Sequence, residues 1–366
     1  MFPISITQIK LLNFLKLHKI IIWTLLRKFQ LENIVEYESI YIANAKKNDT
    51  KNKSIYSLPF VDYPNNKTLI IFDNFQFIKF IKFIRYIKNI RILDKNFFLT
   101  SEASTRFRLY FYDICNAEVK QNFRIQSKTN YNNYLQTIEN KKIGILGTGP
   151  SFEKGKKLYL SKNLHIITCN SAIYDDLWSN FDSTLVFADP VFHFGASSEA
   201  KRFKKEVIAK FNKYKFFIFV PIAGFPILHL EWGIDKNYII GIDSVKGSQT
   251  YPLLKDNLTT VRTSNVLTEF MLPLSANLTK QINLAGFDGR DDSEKNFWQY
   301  SNKTQQSIES HKLDHPSFFD HRNIDKYYKK HIDILEKQIM ILEKKDYVIS
   351  NKTMSNIDYL NKRIYE

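Results

Sequence analysis

The residues best suited to acid–base chemistry lie in one short segment, residues 310–322, which holds three of the eight histidines. Histidine titrates near neutral pH, and a neighbouring carboxylate can orient its ring and adjust its pKa. His321 stands next to Asp320 and just ahead of a predicted helix, so it is the first candidate for a general base; His315 is the second. Metal binding by His311, His315 and His321 is the rival interpretation, although their spacing matches no familiar metal motif.

A second segment, residues 141–151, predicts a site for an anion. Ile143–Leu146 has the apolar run of a strand buried on both faces. Gly147 and Gly149 then allow a tight turn and a close approach to a phosphate, and Pro150 and Ser151 suit the start of a helix. The exposed N–H groups and the dipole of that helix favour an anion. An ordinary strand-to-helix turn is the alternative, because the third glycine of the dinucleotide fingerprint is missing.

Three more polar residues follow predicted strands. Asn170 offers an amide, Asp189 a carboxylate and Arg290 a guanidinium that could pair with a phosphate through two hydrogen bonds. Each also has a structural interpretation. Asn170 and Asp189 could cap helices or turns, and Arg290 could pair with a neighbouring aspartate.

The elements that must position these residues alternate between strands and helices after residue 140. Strands are predicted at residues 142–146, 165–169, 184–188, 216–220, 238–242, 281–285 and 346–350, and helices at 197–213, 265–276 and 323–345. This alternation predicts an α/β fold with a mainly parallel Rossmann-like sheet covered by helices on both faces. Ligands of such sheets bind beyond the carboxyl ends of the strands.

The first 140 residues predict a smaller α/β domain, with strands at 38–43, 68–72 and 96–100 and a helix at 75–90. The polar stretch 126–140 is interpreted as the linker to the second domain, residues 141–366. Residues 9–29 predict a basic amphipathic helix that either lies on an anionic membrane surface or packs onto the neighbouring domain.

The composition narrows the choice of partners. A net charge of +16 attracts anions, but no nucleic-acid recognition motif accompanies it. The two cysteines are far apart, which argues against a disulfide framework or a zinc site and favours a reducing, cytoplasmic environment. We find no convincing signal peptide and no apolar run long enough to span a bilayer.

Taken in order, Gly-x-Gly-Pro-Ser, Cys-Asn, Phe-x-Asp-Pro, Thr-Ser, Gly-x-Asp and the histidine segment resemble the small bacterial sialyltransferases over residues 141–350. The resemblance implies that the glycine turn and Asn170 hold a CMP-sugar donor, that Thr263 and Ser264 contact its nucleotide, and that His321 is the base. The chain departs from the family pattern at Thr148 and Asp189, where the family has asparagine, and at Arg290, where it has a phosphate-binding tyrosine; Tyr300 could supply the second tyrosine.

The resemblance implies transfer of an acidic sugar, of the sialic acid or Kdo type, to a cell-surface glycan such as a lipooligosaccharide or capsule. The reaction inverts the anomeric carbon and needs no metal, because side chains can neutralise the single phosphate of CMP. A more distant resemblance, to a Rossmann family of pterin pyrophosphokinases and flagellin-modifying proteins, implies a magnesium-dependent alternative with Asp189, Asp288 and Asp291 as ligands. Peripheral contact with the inner membrane is expected, and a homo-oligomer is left open.

Overall fold

The computed structural model describes the strand backbones at 39–43, 68–72 and 90–92, four single residues (105, 109, 112 and 115), and then residues 117–162, 164–180, 182–195, 198–245, 247, 254, 257–290 and 324–364. The chain divides into two compact units, Met1–Gln121 and Asn122–Glu366. This division falls before the stretch that the sequence suggested as a linker, whereas the predicted domain boundary falls after it.

The first unit contains a three-stranded parallel sheet. Its strands are β1 (Ser39–Ala43), β2 (Thr68–Phe72) and β3 (Ile90–Ile92), in the order β1-β2-β3. The first two confirm the strand predictions. Ile90 belongs to β3, so the helix predicted over residues 75–90 cannot include its last residue; residues 75–89, 96–100 and 9–29 lie outside the described part of the chain.

The second unit is built on an eight-stranded sheet in which every neighbouring pair is parallel. Its order is β11-β10-β4-β5-β6-β7-β8-β9. The strands are β4 (Ile143–Leu146), β5 (His165–Cys169), β6 (Ser183–Val186), β7 (Ile218–Pro221), β8 (Ile239–Val245), β9 (Thr259–Val261), β10 (Gln281–Ala285) and β11 (Val348–Asn351). This is a Rossmann-like α/β fold, as predicted.

Burial explains why these short segments form strands. Every residue of β4, β5 and β6 is buried, which is what continuous apolar runs predict for strands covered on both faces. The strand β9 has no counterpart among the predictions. It has only three residues, two of them threonines, and lies at an edge of the sheet, so it lacks the apolar run that marks the others.

Seven α-helices are described from residue 117 onward. They are α1 (Ala117–Thr137), α2 (Phe152–Leu160), α3 (Pro190–Phe194), α4 (Ser198–Tyr214), α5 (Leu272–Leu278), which follows a π-helical turn at Leu267–Met271, α6 (Ile324–Glu343) and α7 (Asp358–Asn361). One core unites the sheet with Tyr134 of α1, Phe270 of the π-helical turn and Leu335 of α6. Elsewhere Phe187 packs edge-to-face on Phe203 of α4, with ring centroids 5.3 Å apart.

The linker predicted at residues 126–140 is wrong, because most of it belongs to α1. Two of its polar side chains bond to the backbone of β8 and of the 3-10 turn Lys236–Tyr238 that precedes it. Asn130 Nδ2 donates to the carbonyls of Lys236 and Ile239 at 2.6 and 2.7 Å, and Ser127 Oγ accepts from the Gly241 N–H at 3.0 Å. The edge strand β9 pairs only with Asp243–Val245, so α1 satisfies β8 backbone groups that β9 does not reach.

Among the described residues, no helix combines the length and the apolar character needed to cross a membrane.

Candidate functional site

The strand order reverses beside β4. The chain runs from β4 through β9 in one direction and then returns to place β10 on the other side of β4. Outside the carboxyl ends of these two strands lies the crevice where such folds bind ligands. The loops after β4 and β10 meet there: the Gly147 N–H donates to the Ala285 carbonyl at 2.8 Å, and the Gly149 N–H donates to the Gly286 carbonyl at 2.9 Å.

The glycines of this turn are required by contacts within the chain. A Cβ atom at Gly147 would lie 2.5 Å from the Gly286 oxygen, and one at Gly149 would lie 2.2 Å from the Asp288 Oδ2 atom. Gly286 itself has a φ of +76°. The backbones of the two loops therefore pack directly against each other. This packing explains the glycine pattern from which the sequence analysis predicted a phosphate site.

The carboxylate of Asp288 occupies the N-terminus of α2. The Ser151 N–H lies 3.1 Å from both carboxylate oxygens of Asp288 and donates to them. Burial raises the pKa of Asp288, and its hydrogen bonds to Ser151 oppose that rise. From the other side, the Asn356 N–H donates to the Asp288 carbonyl at 2.6 Å, and the Thr353 hydroxyl accepts from the Gly286 N–H at 3.0 Å. The Asp288 loop is thus held between two segments.

One buried polar atom at the end of β5, Asn170 Oδ1, has no hydrogen-bond partner among the described residues. The Ser151 hydroxyl is also buried, and it interacts with the Asp288 carboxylate. Asn170 follows β5 in a left-handed conformation, with a φ of +47°, and its side chain caps no helix. A buried polar group usually has a partner, so Asn170 Oδ1 marks a place where a ligand could supply it.

Thr148 connects the two strand ends. Its side chain hydrogen-bonds the thiol of Cys169, whose pKa burial raises to about 12. The Thr168 hydroxyl also donates to the Leu146 carbonyl at 2.9 Å. The end of β4 and the end of β5 are therefore fixed relative to each other, and Cys169 is a buried free thiol.

A buried ion cluster ties the segment after Asn170 to α2. Lys156 Nζ lies 2.9 Å from both oxygens of Asp175 and 3.1 Å from Asp176 Oδ1. Burial alone would lower the pKa of Lys156, but its hydrogen bonds to the surrounding carboxylates outweigh this effect and raise it. The Asp175 side chain is completely buried, and it also accepts from the Leu177 N–H at 2.8 Å.

Thr263 and Ser264 lie in a turn organised by the buried Glu269. The carboxylate of Glu269 accepts from the N–H groups of Thr263 and Ser264 at 2.9 and 2.8 Å, and from the Ser244 hydroxyl at 2.6 Å. Ser264 has a φ of +66°. Its carbonyl accepts a hydrogen bond from the Tyr327 hydroxyl of α6.

Arg290 is held by the first turn of α6, which also carries Tyr327. Its N–H donates to the Tyr328 hydroxyl at 2.9 Å, its guanidinium lies over the Tyr328 ring, and it pairs with Asp325. The two adjacent tyrosines therefore bring the turn after β9 and the loop after β10 to one end of α6. The predicted pairing with Asp291 or Asp292 lies outside the described residues.

No family model, no curated protein and no solved structure matches this chain. The site is therefore interpreted from its own chemistry.

Asp189 lies between β6 and α3, two strands from β4. Its carbonyl oxygen is 2.5 Å from Nδ1 of His193, which is buried against Phe187 and Phe203. Asp189 therefore lies beyond the carboxyl end of β6.

The predicted bases His321 and His315, with Asp320 and the phosphate-binding Tyr300, lie outside the described residues. His331 is described: burial lowers its pKa to about 4, and its Nδ1 atom has no hydrogen-bond partner in the described part of the protein. Within that part, no three His, Cys, Asp or Glu side chains are grouped so that they could hold a metal ion.

The structure thus brings Gly147, Thr148, Gly149, Ser151 and Asn170 together, with Pro150 in the same turn, and joins Thr263 and Ser264 to Arg290 through α6. Sequence reasoning missed the parts played by Glu269 and Lys156. Glu269 is a single acid in the apolar run 266–274, which is a signal of a buried carboxylate with partners. Lys156 has no such signal, because lysines are common on helix surfaces.

Proposed function

We propose that the protein is an inverting glycosyltransferase that moves an acidic sugar from a CMP-activated donor to a glycan acceptor. The observation that carries the proposal is the buried Asn170 Oδ1 atom at the end of β5, which has no hydrogen-bond partner among the described residues. The strand β5 neighbours β4, beside which the strand order reverses, and nucleotides bind at this point in this class of sheet.

The roles of the remaining residues follow from the resemblance and from their contacts. Asn170 and Ser151 bind the nucleotide, and the turn at Thr263 and Ser264 adds contacts to it. Arg290 neutralises the phosphate of the leaving CMP. Its partner Asp325 has an exposed side chain, so the phosphate can take the place of this carboxylate at the guanidinium.

In the proposed reaction, an acceptor hydroxyl attacks the anomeric carbon of the donor sugar from the face opposite the phosphate. The new carbon–oxygen bond forms as the bond to the CMP oxygen breaks. His321 takes the proton of the attacking hydroxyl, and the electron pair of the broken bond leaves with the phosphate. Arg290 and Tyr300 are proposed to stabilise the charge that develops there.

The acceptor is proposed to be a glycan of the cell surface, such as a lipooligosaccharide or capsule, assembled at the inner face of the membrane. The net charge of +16 supports attraction to an anionic lipid surface. A cytoplasmic protein with peripheral membrane contact is consistent with this role.

A thermal-shift screen with CMP, CDP, UDP, GDP and ATP, each with magnesium or with EDTA, tests the proposal. A ligand that binds the folded protein raises its melting temperature. We expect CMP to give the largest shift, unchanged by EDTA. A shift with ATP that needs magnesium, and none with CMP, would instead favour the relationship to pyrophosphokinases.

Two variants locate the site. Asn170→Gly removes the amide and tolerates the left-handed backbone, so we expect it to abolish the CMP shift without loss of folding. Asn180→Gly, at an exposed residue, is the matched control and keeps the shift. His321→Ala should keep CMP binding and lose transfer, whereas His311→Ala in the same segment keeps both.

A further inference from the structure

Asp288 determines which ligand groups can contact the N-terminus of helix α2. The start of a helix is a favourable place for a phosphate because its N–H groups point outward. Here the Ser151 N–H points at the Asp288 carboxylate, with both oxygens at 3.1 Å. A phosphate at this N–H would have to share the space and the donor with a second anion.

The backbone of the Asp288 loop is held by two other segments. This loop is bound to Gly147 and Gly149 on one side through backbone hydrogen bonds, and the Asn356 N–H and the Ser355 hydroxyl contact the Asp288 carbonyl on the other, at 2.6 and 3.3 Å. The absence of a side chain at Gly149 leaves room for the carboxylate, since a Cβ there would lie 2.2 Å from Oδ2. The chain is shaped to keep this carboxylate at the helix start.

We propose that Asp288 is a built-in anion at the start of α2, which excludes phosphate from this point of the site and leaves its carboxylate to bind the hydroxyl groups of a ligand. Asp288 is partly exposed, so a ligand can reach it. A carboxylate only accepts hydrogen bonds, and the positive end of the helix beside it disfavours a cation, so hydroxyl donors are the chemical class that fits. The hydroxyl half of the proposal rests on the proposed function, in which the ligand is a nucleotide sugar.

Inorganic phosphate tests the exclusion without any assumption about the substrate. We would titrate it into the full-length wild type, Asp288→Ala and Asp288→Ser, and follow the melting temperature and the 31P NMR line width. Asp288→Ser keeps a small acceptor for the Ser151 N–H, so it covers the case in which the alanine variant fails to fold. Asp333→Ala removes the same charge from an exposed position on α6 and controls for the change in net charge.

We expect phosphate to bind Asp288→Ala or Asp288→Ser at least about tenfold more tightly than it binds the wild type or Asp333→Ala, because the helix start becomes vacant. Equal phosphate affinity in the wild type and the Asp288 variants would overturn the exclusion. A gain of the same size in Asp333→Ala would overturn it too, because net charge would then explain the effect.

Cytidine and CMP test the hydroxyl half. Loss of a hydrogen bond to a charged group should cost roughly 10–100-fold in affinity, so Asp288→Asn should weaken cytidine and CMP by the same factor in that range. Stronger CMP binding to Asp288→Asn, with cytidine unchanged, would show that the phosphate lies beside Asp288 and would overturn the proposal. If the wild type binds neither compound, the proposed function and the hydroxyl half fail, and the phosphate titration still decides the exclusion.

Discussion

Replacing Lys156 by methionine should destabilise the second unit strongly, because it removes the cation from a carboxylate that has no access to water. The Asp175 side chain is 0% exposed, and Lys156 Nζ bonds both of its oxygens at 2.9 Å. Methionine keeps most of the length and apolar stem of lysine but carries no charge. The substitution therefore tests the ion pair with little change in packing.

The size of the effect follows from what Asp175 retains. Breaking a buried ion pair by removing one partner typically costs about 3–5 kcal/mol. Asp175 keeps its hydrogen bond from the Leu177 N–H at 2.8 Å, which places the expected loss of unfolding free energy near the lower end, at about 3 kcal/mol. Lys141→Met is the matched control: its partner Asp182 is 54% exposed, and the loss there should stay below about 1 kcal/mol.

The effect should also depend on pH. Burial already raises the pKa of Asp175, and without Lys156 it should rise further. In the variant, the folded state then binds a proton that the unfolded state releases, so its stability falls as the pH rises above the usual pKa of an aspartate. The difference between wild type and Lys156→Met should be larger at pH 8 than at pH 5.

Urea unfolding followed by far-ultraviolet circular dichroism, at both pH values, measures these differences from the transition midpoint and slope. A loss of unfolding free energy below about 1 kcal/mol at pH 8, or one equal to that of Lys141→Met, would contradict this prediction. Either result would mean that Asp175 does not depend on Lys156 for its charge.

Three further predictions concern the two loops and the Thr263 turn. Asp288→Asn should raise the melting temperature at pH 7 by roughly 2–4 °C, since it removes a desolvated charge and keeps an oxygen for Ser151. Because the pKa of Asp288 is raised in the folded state, this gain should vanish in melts below the pKa of an unfolded aspartate. A lower melting temperature of Asp288→Asn at pH 7 would contradict the prediction. Glu269→Gln should lower the free energy of unfolding in urea by about 1–3 kcal/mol, because an amide cannot accept all three hydrogen bonds that the Glu269 carboxylate accepts. The exposed control Glu139→Gln should change it by no more than about 0.5 kcal/mol, and equal losses in the two variants would disprove the role of Glu269. Gly149→Ala should lower the free energy of unfolding by about 1–3 kcal/mol, and by less in an Asp288→Ala background, where the closest contact of the new methyl group is gone. Strict additivity of the two substitutions would show that the methyl group and the Asp288 side chain are not in contact.

The fold was predictable wherever burial and sequence pattern coincide. The strand β5 contains Ile166, Ile167 and Thr168, whose branched side chains favour a strand, and all five of its residues are buried. The helix α1 was missed because Ser127 and Asn130 are polar yet buried, and their bonds to β8 connect residues more than one hundred positions apart. No local pattern carries that information.

The candidate site was predictable in part for the same reason. That Gly147, Ser151 and Asn170 lie together follows from parallel strand order and from the rule that strand ends share an edge. That Asp288 fills the start of α2 depends on how closely the β4 and β10 loops approach, which the sequence does not encode locally. Gly147 and Gly149 were correctly predicted to allow a close approach, but the group that approaches belongs to the chain itself.

Hydrogen exchange measured by mass spectrometry, with and without CMP in EDTA, reports where the nucleotide binds. We predict slower exchange in peptides covering residues 147–152 and 170–176 of the wild type, and none of this protection in Asn170→Gly. Protection confined to other parts of the chain, or protection that persists in Asn170→Gly, would contradict a nucleotide site at the ends of β4 and β5.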